Sequence, residues 1–152
     1  MDRNLGANLA GAAGAVAMVG VSLLSRKLGF SYGDTVTADV AQSGIAAAGL
    51  AGETSEAQEE AIGLGAHLAF SMSSAMLYGR VRDHLNLPGP LAGALFGLAV
   101  WGLNVVGIAQ MIGIRNAPWK EDEAKAITTL LAHLAFGAVV GLIYDEIVDE
   151  DA

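Results

Sequence analysis

The chain contains no cysteine, which excludes disulfides, thiol nucleophiles and thiolate metal sites. Basic residues are scarce as well. Eight Lys and Arg against 16 Asp and Glu leave a net charge of -8, the wrong sign for nucleic acid or for an anionic lipid surface. The 3 prolines, at 88, 90 and 118, leave long stretches free of helix breakers. No glycine-rich phosphate loop, no nucleophile with a matched base and no pair of carboxylates within an apolar run is found, so the reading is that the protein is not an enzyme.

What the chain does have is hydrocarbon. Hydrophobic residues make up 53%, and the charged residues leave four runs untouched, at 4–25, 61–79, 85–114 and 126–144. The shortest of these has 19 residues, and about 20 apolar residues rising about 1.5 Å each match a bilayer core of roughly 30 Å. A soluble bundle of this size would need a charged face on each helix, and these runs have none on any side. The expected fold is all-α: an integral membrane four-helix bundle forming one domain, with spans near 4–28, 58–79, 88–114 and 124–145. Lipid is then the first partner, and the inner or plasma membrane the expected location.

The chain repeats itself. Residues 66–78 read AHLAFSMSSAMLY and residues 132–144 read AHLAFGAVVGLIY, six of thirteen positions agreeing without a gap. Upstream of each copy, LAGAAGAVAMVG at 9–20 answers LAGALFGLAVWG at 91–102. The repeated unit is a pair of apolar helices, repeat 1 covering about 4–87 and repeat 2 about 88–147. Each unit crosses twice, so the two copies run in the same direction and should be related by a pseudo-two-fold axis along the membrane normal. Both termini then lie on one side. Arg26, Lys27, Arg115, Lys120 and Lys125 flank one side against Arg3, Arg80 and Arg82 on the other, which weakly favours termini outside.

The first connection is longer by an insertion at 31–56, too short in its uncharged part to span and expected to form an interfacial or re-entrant helix. Ser55 with Gln58 three residues on predicts a capping box at the start of the second span. Pro90 suits a first helical turn, Trp119 an interfacial anchor, and the acidic tail from Asp145 a frayed helix end. Gly11, Gly93, Gly97, Gly137 and Gly141 are the expected close-packing positions, because helices in lipid associate through small residues.

His67, Ser71, Ser74 and Tyr78 fall on one helix face, and His133 and Tyr144 occupy the matching positions of the second copy. A polar ring in hydrocarbon must find a partner, so both histidines should face the bundle interior. Three uses are open. Each ring could donate an interhelical hydrogen bond that sets packing; the pair could ligate haem b or another metal; or His67, His133, Asn104, Ser71 and Ser74 could line a polar translocation path. Tyr78 and Tyr144 join these as buried polar candidates, although their place near span ends also suits headgroup anchoring.

The His-Leu-Ala-Phe copies, each with a Tyr eleven residues after the His, together with LPGPLAGALFGLAVW at 87–101 and the Gly137, Gly141 pair, resemble the YagU type of small inner-membrane protein. That resemblance implies a four-helix membrane protein and no agreed activity. Where it leads one to expect a proline before the glycine that ends the third span, this chain has Gln110 ahead of Gly113, which predicts a straighter helix. The function expected is that of a structural or accessory membrane protein, self-associating or joined to a larger membrane complex. An oligomeric transporter or channel, and a bis-histidine haem or metal protein, stand as alternatives. No cofactor is required by the leading reading.

Overall fold

The computed structural model describes residues 2–30, 45, 54–108, 111, 118–120 and 122–149. Among the described residues four long helices stand out: α1 (Arg3–Lys27), α2 (Glu56–Val81), α3 (Gly89–Trp101) and α4 (Glu123–Asp149). The segment expected to form an interfacial or re-entrant helix lies, apart from residues 45 and 54–56, outside the described residues, as does Gln110.

The helix ends follow from local chemistry. Asp2 caps α1 by accepting from the Asn4 amide at 3.0 Å, and Arg26 and Lys27 sit in its last turn, where cations suit the negative end of the dipole. Gly29, at φ 83°, turns the chain out of α1, a conformation that a side chain would strain. At the start of α2 the capping box is formed: Gln58 Oε1 accepts from the Ser55 amide at 2.8 Å while the Ser55 hydroxyl accepts from the Gln58 amide at 3.4 Å. Pro90 occupies the first turn of α3. The third helix does not continue as a straight α-helix, however. After Trp101 it widens into π-helical turns over Gly102–Ile108, and the two glycines in that stretch, Gly102 and Gly107, ease the change of pitch. The acidic end is not frayed up to Asp149, since α4 continues that far.

Glycine decides how the helices pack. A Cβ at Gly93 would overlap the carbonyl oxygen of Gly137, one at Gly97 that of His133, and one at Gly141 that of Gly89. The backbones of α3 and α4 therefore lie in direct contact. In the first pair the approach is looser: a Cβ at Gly11 would stand 2.7 Å from Met72 Cα and 2.9 Å from the Ser71 carbonyl oxygen. Between the pairs, Phe136 of α4 seats its ring on Gly14 of α1, where a Cβ would come within 2.6 Å of it.

The order around the bundle is α2, α1, α4, α3, and the backbones of α2 and α3 approach one another at few points. An exact two-fold between the halves would pack α2 on α3 as closely as α4 packs on α1. The sequence explains why it does not. Phe136 needs the hollow at Gly14; the matching residue of α3 is Phe96, which offers no hollow, and the matching phenylalanine of α2, Phe70, stays 44% exposed. The α2 and α3 backbones therefore stand farther apart than those of α1 and α4, and Tyr78 bridges them to Phe96 and Gly89.

Alanine at Gly93 or Gly137 should destabilise the detergent-purified protein by about 1–3 kcal/mol or more through overpacking. Alanine at Gly20, which meets nothing within 4 Å, should be neutral or stabilising by up to about 1 kcal/mol through helix propensity. Thermal unfolding of the three variants checks this, and equal melting temperatures would refute the backbone-contact account.

Candidate functional site

Two polar layers cross the bundle, one near an end and one near its middle. At the end that holds the N-terminus of α1, Tyr78 and Tyr144 are 0% and 2% exposed. Their rings meet edge to face at 5.7 Å, and Tyr78 makes a second such contact with Phe96 at 5.4 Å. Their hydroxyls donate inward, Tyr78 to the Gly89 carbonyl and Tyr144 to the Gly79 carbonyl, each at 3.4 Å. Both are core residues that tie α2 to α3 and α4. Headgroup anchoring, expected from their place near the span ends, is not open to buried hydroxyls.

Charged side chains close this layer. Arg82, just past α2, holds Asp145 of α4 through two parallel bonds, Nε to Oδ1 at 2.7 Å and Nη2 to Oδ2 at 2.6 Å, and donates a third from Nη1 to the Leu85 carbonyl at 2.8 Å. The pair is largely shielded, with side-chain exposures of 18% and 23%, and such a bidentate arrangement fixes direction as well as distance. Arg3 reaches over from α1, donating to the Tyr144 hydroxyl at 3.2 Å and to exposed Asp83 at 2.6 Å. None of Arg3, Arg82, Asp83 and Asp145 was among the residues that the sequence suggested. The available signal was only that each flanks an apolar run, and no spacing rule joins positions 63 residues apart.

The second layer holds the histidines. Because α2 and α4 run parallel and Tyr78 touches Tyr144, residues eleven positions before each tyrosine sit at a common level, about 16 Å along the bundle. His67 and His133 occupy it, within electrostatic reach of one another. His133 is 8% exposed, and its Nδ1 lies 2.8 Å from the Thr129 carbonyl. A carbonyl only accepts, so in the neutral ring Nδ1 carries the proton and Nε2 is bare. The bond stays within α4; the packing reading had expected one between helices. The His67 ring faces the Ala15 carbonyl of α1, an interhelical partner of the kind the packing reading expected, and its Nε2 is buried without a hydrogen bond.

Contacts between α3 and α4 step in fours, Gly89 with Gly141, Gly93 with Gly137 and Gly97 with His133. One further step puts Trp101 opposite Thr129. Trp101 Nε1 is also buried without a partner, a residue type that sequence reasoning passed over although an indole N–H in an apolar helix always needs an acceptor. Each such orphan costs about 1–3 kcal/mol. Ser71 and Ser74 are buried on α2, at 2% and 8% exposure, with Ser71 at the Gly11 contact. Asn104 is half-buried in the π-helical turns. Thr128 and Thr129 are buried too, and the Thr129 hydroxyl bonds back to the Lys125 carbonyl at 2.7 Å. Among the described residues, no group of three or more His, Cys, Asp or Glu is placed to hold a metal ion. Two imidazoles alone would need the equatorial nitrogens of a macrocycle to complete a coordination sphere.

Fold and site together define the class: an all-helical protein whose four helices are long and apolar enough to cross a membrane. Within it, the chain belongs to DUF6789, a family of unknown function, which matches residues 1–152. No curated protein and no solved structure matches it.

Arg82→Met should cost about 2–3 kcal/mol, because it strands the Asp145 carboxylate in a shielded place. Adding Asp145→Leu should restore part of the loss. A double-mutant cycle that returns no coupling between the two positions would show that the pair ties nothing together.

Proposed function

We propose that this is an integral membrane protein in which two copies of a helical hairpin form a scaffold, serving as a structural or accessory subunit and associating with itself or with a larger membrane complex. The observation that carries the membrane reading is the outer surface. Val16, Leu77, Leu95 and Leu131, one from each helix, are 70%, 52%, 50% and 50% exposed, and no run they belong to offers a charged face to water. Singly exposed leucines are ordinary, but an apolar exterior on every helix is the mark of a hydrocarbon solvent.

The duplicated hairpin is supported by shared contacts. Gly11 meets Ser71 in the first pair as Gly93 meets Gly137 in the second, and these four positions correspond under the sequence repeat. A scaffold role is supported by how the polar groups of the tyrosine layer are spent, since Arg82, Asp145, Arg3 and both tyrosine hydroxyls bind other parts of the same chain. For self-association, Gly20 on α1 and Gly65 on α2 have open space before them, flat places where another helix could seat. Kinship with the YagU type, with termini outside, fits the same architecture and rests on the residues quoted for it above.

After cell breakage the untagged protein should remain in the membrane fraction through alkaline carbonate washing and require detergent for extraction. Recovery as a monodisperse species in the aqueous fraction, without amphiphile, would overturn the proposal.

A further inference from the structure

The two copies of the repeat share His and Tyr on their inner sides and differ on the outside. Equivalent positions are 66 apart, as His67 and His133 are, and the contact of Tyr78 with Tyr144 sets equivalent residues of the parallel helices α2 and α4 at one depth. Two residues beyond the tyrosines stand Arg80 on α2 and Glu146 on α4. Both are exposed, and among the described residues neither has an ion-pair or hydrogen-bond partner. The copies thus carry opposite, unspent charges at one level. Side-chain size is exchanged in the same way. Exposed Ala61 and Gly65 of α2 answer Ile127 and Leu131 of α4, which are 49% and 50% exposed, and a Cβ at Gly65 would meet nothing within 4 Å. Around the helix axis Ala61, Gly65 and Arg80 fall within about 100° of arc, and so do Ile127, Leu131 and Glu146. The outer face of α2 is therefore shallow and ends in a cation, while that of α4 is ridged and ends in an anion.

We propose that copies of this chain associate head to tail in the membrane, the α2 face of one against the α4 face of the next. Because α2 and α4 occupy opposite corners of the bundle, their outer faces look away from each other, and one copy can hold a neighbour on each side. Such an interface is heterologous and builds a ring or a row, whereas a two-fold pair through α2 would set cation on cation. Upright copies at equal depth place Gly65 of one beside Leu131 of the next, and Arg80 beside Glu146, without vertical slip. The bulky side chains of α4 fill the space that alanine and glycine leave on α2, and helices in lipid associate through such small residues. The ion pair contributes direction more than strength, since exposed pairs are weak. This inference deepens the self-association named above and rests on the membrane reading, which carbonate extraction tests by itself.

The test uses the full chain in native membranes and exploits its lack of cysteine. A Gly65→Cys/Leu131→Cys variant oxidised with copper phenanthroline should give a disulfide-linked ladder of dimers, trimers and higher species on a non-reducing gel. Gly65→Cys alone and Leu131→Cys alone should stay uncross-linked, and the two co-expressed should stop at the dimer. Adding Arg80→Glu to the double-cysteine variant should lower the cross-linked yield about two- to fivefold, and Arg80→Glu with Glu146→Arg should restore it. Gly65→Leu in the otherwise native chain should shift the detergent-purified protein toward monomer on sedimentation without lowering its melting temperature, because nothing of its own chain lies there. A dimer as the largest product of the double variant, or either single variant cross-linking with itself, would overturn the proposal in favour of a two-fold pair. Absence of any cross-linked species would overturn it too. Val16→Cys, on the outer face of α1, cross-linking in their place would show that self-association survives through another face.

Discussion

The contact on which the rest of the molecule depends is backbone against backbone between α3 and α4. At Gly93, Gly97, Gly137 and Gly141 there is no room for a Cβ, so the two helices can pair in one register only. Small residues along such faces let helices associate through close van der Waals packing of their backbones. That register has consequences at both ends. It sets Gly89 beside Asp145, where the carboxylate also meets Arg82, and it carries Trp101 to the level of Thr129 and the His133 ring. A looser pairing, of the kind that α1 makes with α2 at Gly11 and Ser71, would leave these side chains free to shift.

The two polar layers differ in how fully their groups are satisfied. In the tyrosine layer the polar atoms find partners within the chain: hydroxyls reach carbonyls, and the Arg82 fork takes both oxygens of Asp145. Three helices and the turn after α2 are thereby joined at one end. In the histidine layer His133 spends one nitrogen on its own helix, while His67 and Trp101 each leave a buried nitrogen idle. The fold is thus tied most fully at one end, while the unspent hydrogen bonding lies near the middle of the bundle.

The asymmetry between the halves has a local cause. An exact repeat of the two helix pairs would make the α1 to α4 and α2 to α3 contacts alike. A single divergence, glycine at 14 against phenylalanine at 96, gives Phe136 a place to seat and denies one to Phe70. One hollow therefore accompanies the closer of the two approaches.

Much of the fold was legible in the residues themselves. Four uncharged runs, a capping box at Ser55, glycines at 93, 97, 137 and 141 and the twice-written His-to-Tyr stretch determine four apolar helices and the faces through which they touch. These are local properties, set by hydropathy, propensity and side-chain volume within a few turns. Only the tertiary structure could decide the rest. That Arg82 meets Asp145, that the tyrosines are core instead of interfacial anchors, that the third helix widens after Trp101 and that α2 and α3 stand apart all depend on which distant residues share a level. Helix register is settled by the fit of whole faces across the bundle, and no spacing along a single chain encodes that fit.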